Sequence, residues 1–143
     1  MYEAGTASGG PAPIVVCISE IWGVHEWVRD VTRRFAKAGF YAVAPELFKR
    51  EGGVGQIPNV QDILKIVLAV PRKQVLGDVA ATVDWAKKRP GGRADRAGVT
   101  GWCWGGSTVY QVAATNPDMK AGVVWYGPPA RPYPDQPNPV TGF

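Results

Sequence analysis

Histidine is nearly absent: His25 is the one imidazole among 143 residues. Cysteine is scarce as well, and Cys17 and Cys103 stand far apart without the short spacing of a metal site or a disulfide framework. Those shortages exclude a zinc cluster and a stapled secreted scaffold, and no metal or cofactor is expected. Two free thiols fit a reducing compartment, so the expected location is cytoplasmic. No apolar run approaches the roughly 20 residues that cross a bilayer, and residues 1–10 lack the basic and apolar blocks of a secretory signal. The formal charge of +4 is carried by scattered residues such as Arg29, Arg33, Arg34, Lys37, Lys87, Lys88, Arg93 and Arg96. They suit solvated helix faces and helix C-termini, and no basic stripe interleaved with aromatics marks a nucleic-acid surface.

What is present is the composition of one soluble globular domain, 45% hydrophobic and 20% charged. Residues 1–13, rich in Gly, Ala and Pro, read as a loose leader. Ile14 to Ser19 is a continuous apolar run of strand length, suited to a strand buried on both faces of a parallel sheet. Val24, Trp27 or Val28, Val31, Phe35 and Ala38 recur at helical spacing, with Gly39 as the stop. Phe40 to Ala44 reads as a second strand ended by Pro45, and residues 46–58 as a loop over the ligand edge. Residues 59–70 and 71–88 carry two further helical patterns, the second opened by Pro71. Ala97 to Thr100 is a third strand, Gly105 to Asn116 a helix, and Ala121 to Tyr126 a fourth strand. Strands alternating with helices over residues 14–126 imply an α/β fold, a mostly parallel sheet covered on both faces. Residues 127–143 contain six prolines and read as an irregular tail.

The chemistry centres on Gly101-Trp102-Cys103-Trp104-Gly105-Gly106, between the third strand and the helix after it. A nucleophile on a tight strand-to-helix turn stands above the sheet, and small residues on either side let the backbone pass closely. The first amides of the helix can hold a developing oxyanion, and a helix start favours a thiolate. Cys103 is therefore the candidate nucleophile. A buried packing cysteine is the plainer alternative. A dinucleotide loop is the other glycine-rich option, but it needs bare backbone where two tryptophans flank this cysteine. Glu20 follows the first strand at its carboxyl end, where ligands bind in open α/β sheets, although it also suits a helix cap.

A cysteine hydrolase needs a base and an orienting carboxylate, expected after the nucleophile in this topology. No histidine follows Cys103. His25 is a possible pocket residue ahead of it, though a histidine at a helix start more often packs or caps. The downstream acids are Asp118, in a helix-to-strand turn, and Asp135, in the proline-rich tail.

Three motifs stand in order: Ser19-Glu20-Ile21-Trp22-Gly23-Val24-His25, Ala44-Pro45-Glu46-Leu47-Phe48 and Gly101-Trp102-Cys103-Trp104-Gly105-Gly106. With these the chain resembles the dienelactone hydrolase (carboxymethylenebutenolidase-like) family of α/β-hydrolases, from about Pro13 to about Tyr126. The resemblance implies that Cys103 is the nucleophile, that the Ile21 and Trp104 amides form the oxyanion hole, and that Glu20 meets the resting thiol. It further implies that substrate displaces the glutamate and generates the thiolate, which opens a small-molecule lactone or ester to an acyl-enzyme that water cleaves. Family members continue past the fourth strand with elements that bear a triad aspartate and histidine. The chain is therefore expected to be the amino-terminal catalytic portion of such a hydrolase, or else a truncated homologue that binds or assembles without turnover. Family members also hold the substrate carboxylate with arginines; Arg50 and Arg72 are candidates to which that role is not assigned.

Overall fold

The structure, a computed structural model, describes residues 1–129. In chain order the elements are β1 (Tyr2–Ala4), β2 (Ala12–Ile18), α1 (Glu26–Lys37), β3 (Tyr41–Ala44), a 3-10 turn (Lys49–Glu51), α2 (Val60–Ala69), α3 (Arg72–Lys87), β4 (Gly92–Trp102), α4 (Trp104–Thr115) and β5 (Met119–Trp125). They build one five-stranded sheet in the order β1-β3-β2-β4-β5, parallel throughout except for β1.

The unbroken apolar run of β2 follows from its place in the middle of that sheet. Side chains alternate along a strand. Ile14, Val16 and Ile18 accordingly join the core with Val75, Val79 and Val83 of α3 and Val109 and Val112 of α4. Val15 and Cys17 turn the other way, towards Val28 of α1 and Trp102. Full burial of each such valine contributes about 1.5–3 kcal/mol.

The helices follow their periodicity. Val28, Thr32 and Ala36 make the buried row of α1, four residues apart. The Asn59 side chain caps α2 by accepting from the Gln61 amide at 2.8 Å. Pro71 precedes α3, whose inner row is Val75, Val79, Val83 and Ala86.

The structure departs from the sequence reading at three places. Tyr2–Ala4, expected within a loose leader, pairs antiparallel with β3, Tyr2 opposite Ala44. Three residues on a sheet edge leave too short an alternation to be read as a strand. The third strand begins at Gly92, not Ala97, because Asp95 and its neighbours are exposed and carry no apolar signal. There the pairing with β2 skips from Arg93 to Ala97, so residues 94–96 bulge out. Finally, cover on the sheet is uneven. Helices α3 and α4 pack on one face and α1 on the other, beside β3, leaving most of β5 exposed and a trough of about 640 Å³ floored by Gly98, Thr100 and Val123 and walled by Phe35. Of the expected tail, residues 130–143 lie outside the described residues.

Candidate active site

Strand register decides which side chains meet at the carboxyl edge of the sheet. Ile18 of β2 lies opposite Gly101 of β4, and Trp102 of β4 lies opposite Trp125 of β5. Carried two residues past β2, that register sets Glu20 beside Cys103. One residue past β5, it sets Tyr126 on the other side. Glu20, Cys103 and Tyr126 thus form a row across three neighbouring strands.

Cys103 is exposed and caps α4 with a left-handed φ of 51°. Such a conformation is strained for a residue with a Cβ and persists only where its surroundings enforce it. Here the neighbours leave no slack. A Cβ on Gly105 would come within 2.4 Å of the carbonyl oxygens of both Ile18 and Ser19, and one on Gly101 within 2.4 Å of the Gly105 carbonyl oxygen. The elbow helix therefore presses directly on the end of β2, which is why the turn is bracketed by glycine.

Glu20 is half-buried, and its hydrogen bond is to Tyr126, whose hydroxyl donates to Oε1 at 2.6 Å. Tyr126 is the second non-glycine residue with a left-handed φ among the described residues, at 44°. Its phenol is pushed up to about 12, first by the bond to Glu20, then by desolvation, then by the negative charge of Glu20 and of Cys103. Glu20 and Cys103 thus share one neighbour, the Tyr126 phenol, on which both act. Tyr126, expected as the last residue of the fourth strand, instead lies one residue past β5, and no local pattern marks it as a site residue.

The expected oxyanion donors come from two elements. Ile21 lies in the turn after β2 and packs partly buried on the main core, as does Trp104 at the first position of α4. An amide at that helical position has no intrahelical acceptor and can serve a ligand. The Trp104 ring is held between Phe48, 5.0 Å away, and the Arg72 guanidinium, 5.8 Å away. The Ile21 turn is anchored from the second motif, where Glu46 Oε2 accepts from the Val24 amide at 3.0 Å. Glu46 thus supports the turn from the second motif, a role that its place in the sequence does not mark.

Other candidates are placed elsewhere. His25 is exposed at the start of α1; its ring lies 6.3 Å from Trp27, which meets Trp102 edge-on at 5.2 Å, so the imidazole belongs to the α1 side of the sheet. Arg50 is held by both oxygens of Asp78, at 2.9 and 2.7 Å. Arg72 is buried and donates to Thr108 at 3.0 Å and to Gln111. Asp118 pairs with Lys87 at 2.5 Å. Asp135 lies outside the described residues. Cys17 is wholly buried and burial pushes its thiol up to about 12, partly offset by a bond to Thr32. Among the described residues no group of His, Cys, Asp and Glu could hold a metal ion, and no helix is long and apolar enough to cross a membrane.

The geometry thus places an exposed, strained cysteine on a glycine-bracketed elbow at the carboxyl edge of a mostly parallel sheet. The dienelactone hydrolase family model matches residues 2–141. The chain belongs to the dienelactone hydrolase family. A protein of Methylorubrum extorquens provisionally named carboxymethylenebutenolidase is 49% identical over 129 residues, which are 88% of this chain and 44% of that protein. A Bradyrhizobium protein provisionally named a 2-oxo-3-(5-oxofuran-2-ylidene)propanoate lactonase is 34% identical, covering 88% of this chain and 50% of its own length. Among solved structures, a provisionally assigned dienelactone hydrolase from Klebsiella pneumoniae superposes with a TM-score of 0.79 at 44% identity, covering 82% of this chain and 49% of that one. The chain therefore spans about half the length of the relatives it matches.

Proposed function

We propose that this dienelactone hydrolase family member carries the nucleophilic half of a hydrolase that opens lactones or related esters through Cys103. The observation that carries the reading is the elbow itself. Cys103 is exposed and held at a φ of 51° at the start of α4, just past β4, while Glu20 stands just past β2, the strand paired with β4. Strain of this kind costs about 1–3 kcal/mol and is expected where geometry serves a reaction.

In the reaction, Glu20 takes the thiol proton as the substrate arrives. The sulfur attacks the carbonyl carbon, a C–S bond forms, and the carbonyl oxygen becomes an oxyanion held by the Ile21 and Trp104 amides. Collapse breaks the ring C–O bond; the former ring oxygen leaves as an alkoxide or enolate and takes up a proton. Because the ring is opened and not cut away, it stays attached as the acyl chain. Water then cleaves the thioester, releasing the acid and restoring the thiol. The substrate is a small, carbonyl-activated lactone or ester.

A second reading, binding without turnover, draws on the position of His25. The single imidazole lies with Trp27 on the α1 side, so these residues bring no histidine base to the elbow. General-base help is worth about 10²–10⁴-fold in rate, and acyl-enzyme hydrolysis is the step that needs it.

The test is to incubate the protein with an enol lactone and follow ring opening by ultraviolet absorbance. Opening that disappears in Cys103→Ala supports the hydrolase reading. Opening that survives Cys103→Ala overturns it, and binding without any opening favours the second reading.

A further inference from the structure

Glu20 follows β2 and Tyr126 follows β5, the two strands paired on either side of β4, which leads into Cys103, yet their side chains meet at 2.6 Å. The bond joining them therefore spans the elbow. Tyr126 reaches this position from a left-handed backbone, which an aromatic residue adopts only under constraint. The constraint is visible next door. A Cβ on Gly127 would come within 2.3 Å of the Ser107 amide nitrogen and 2.7 Å of the Cys103 carbonyl oxygen, so the chain leaves β5 wedged against the elbow helix.

We propose that Tyr126 is a positioning residue: its phenol holds the Glu20 carboxylate across the elbow, and this bridge sets how strongly the carboxylate opposes the Cys103 thiolate. The inference rests on the reading of Cys103 and Glu20 given above. A carboxylate fixed near a thiol disfavours the thiolate, whereas one free to swing into solvent is screened and acts weakly. Among the described residues, the titratable groups linked at the site are Glu20, after β2, Tyr126, after β5, and Cys103 itself. From α3, the Arg72 guanidinium lies 5.8 Å from the centroid of the Trp104 ring. The raised phenol of Tyr126, which senses both Glu20 and Cys103, agrees with one linked group.

The experiment compares pH profiles of Cys103 alkylation by iodoacetamide in the parent protein, Tyr126→Phe, Glu20→Gln and the double variant. Tyr126→Phe is expected to move the profile towards lower pH and raise the rate near pH 7 about threefold. Glu20→Gln is expected to do the same more strongly, and the phenyl ring to add nothing once Glu20 is replaced. A tyrosine that only packs would alter stability and leave the midpoint where it was. The phenol is read separately from ¹³C-labelled tyrosine spectra. Its titration is expected to fall from about 12 towards the ordinary 10.0 in Glu20→Gln, a measurement that needs no substitution at Tyr126. If Glu20→Gln moves the thiol midpoint while neither Tyr126→Phe nor the phenol titration responds, the bridge is overturned and the role of Glu20 stands. If no variant moves the midpoint, the reading of Glu20 fails and takes the bridge with it.

Discussion

The Cys103 amide donates to the Trp125 carbonyl oxygen at 3.0 Å. This bond extends the β4–β5 ladder one step beyond Trp102, so the residue that leaves the strand at a left-handed φ is still tied to it. On its other side the Ser107 amide donates to the Cys103 carbonyl at 3.0 Å, the first hydrogen bond of the elbow helix. The sulfur is thereby carried by a rigid junction between strand and helix.

Selective labelling comes first. Cys103 is exposed, whereas Cys17 is wholly buried with its thiol pushed up to about 12. Since the thiolate is the reactive species, substoichiometric iodoacetamide near neutral pH should modify Cys103 at least about a hundredfold faster. Peptide mapping reads the ratio, and faster loss of Cys17 would contradict the placement of both.

Gly105→Ala should destabilise the fold by at least about 2 kcal/mol, because the new methyl group would meet two backbone carbonyl oxygens at 2.4 Å, and neither belongs to a flexible side chain. Urea unfolding gives the number. A variant of parent stability would mean that α4 does not press on the end of β2.

Alkaline stability should depend on Cys17. Its folded thiol sits near 12 against an ordinary 9.0, so between those values the unfolded chain gives up a proton that the folded chain keeps. The stabilisation is complete below pH 9 and is lost as pH rises towards 12, about 2 kcal/mol of it by pH 10.5. Cys17→Ala should show a shallower fall in urea midpoint between pH 8 and 10.5, and an identical slope would remove the thiol from the explanation.

Glu46 should separate acylation from alkylation. Its carboxylate accepts from the Val24 amide and so anchors the turn that carries Ile21, the proposed oxyanion donor, and alkylation needs no such donor. Glu46→Ala is expected to slow acylation of Cys103 by an activated ester about tenfold while alkylation stays within about twofold. Glu46→Gln, which keeps an acceptor, should restore most of the difference. Equal losses in both reactions would point to a general collapse of the site.

Much of this arrangement is legible from the chain alone, for identifiable reasons. The continuous apolar run of β2 suits a strand buried on both faces, and glycines two positions either side of Cys103 mark a turn that cannot accept a Cβ. Tyr126 is another matter. Nothing in Val124-Trp125-Tyr126-Gly127 distinguishes a strand end from a site residue until the pairing of Trp102 with Trp125 levels it with Cys103. The polar start of β4 and the three-residue β1 escape notice because their pairing is set by neighbouring strands and not by their own hydrophobic pattern. Long-range register is the information that local periodicity lacks.

The most direct test of Cys103 as nucleophile is intact-mass analysis after incubation with an activated aryl ester, with phenol release followed in parallel. The expected result is a single added acyl group that maps to the Cys103 peptide and is absent from Cys103→Ala, accompanied by a burst of about one equivalent of phenol. An acyl group on any other residue, phenol release undiminished in Cys103→Ala, or no adduct and no release at all would contradict it.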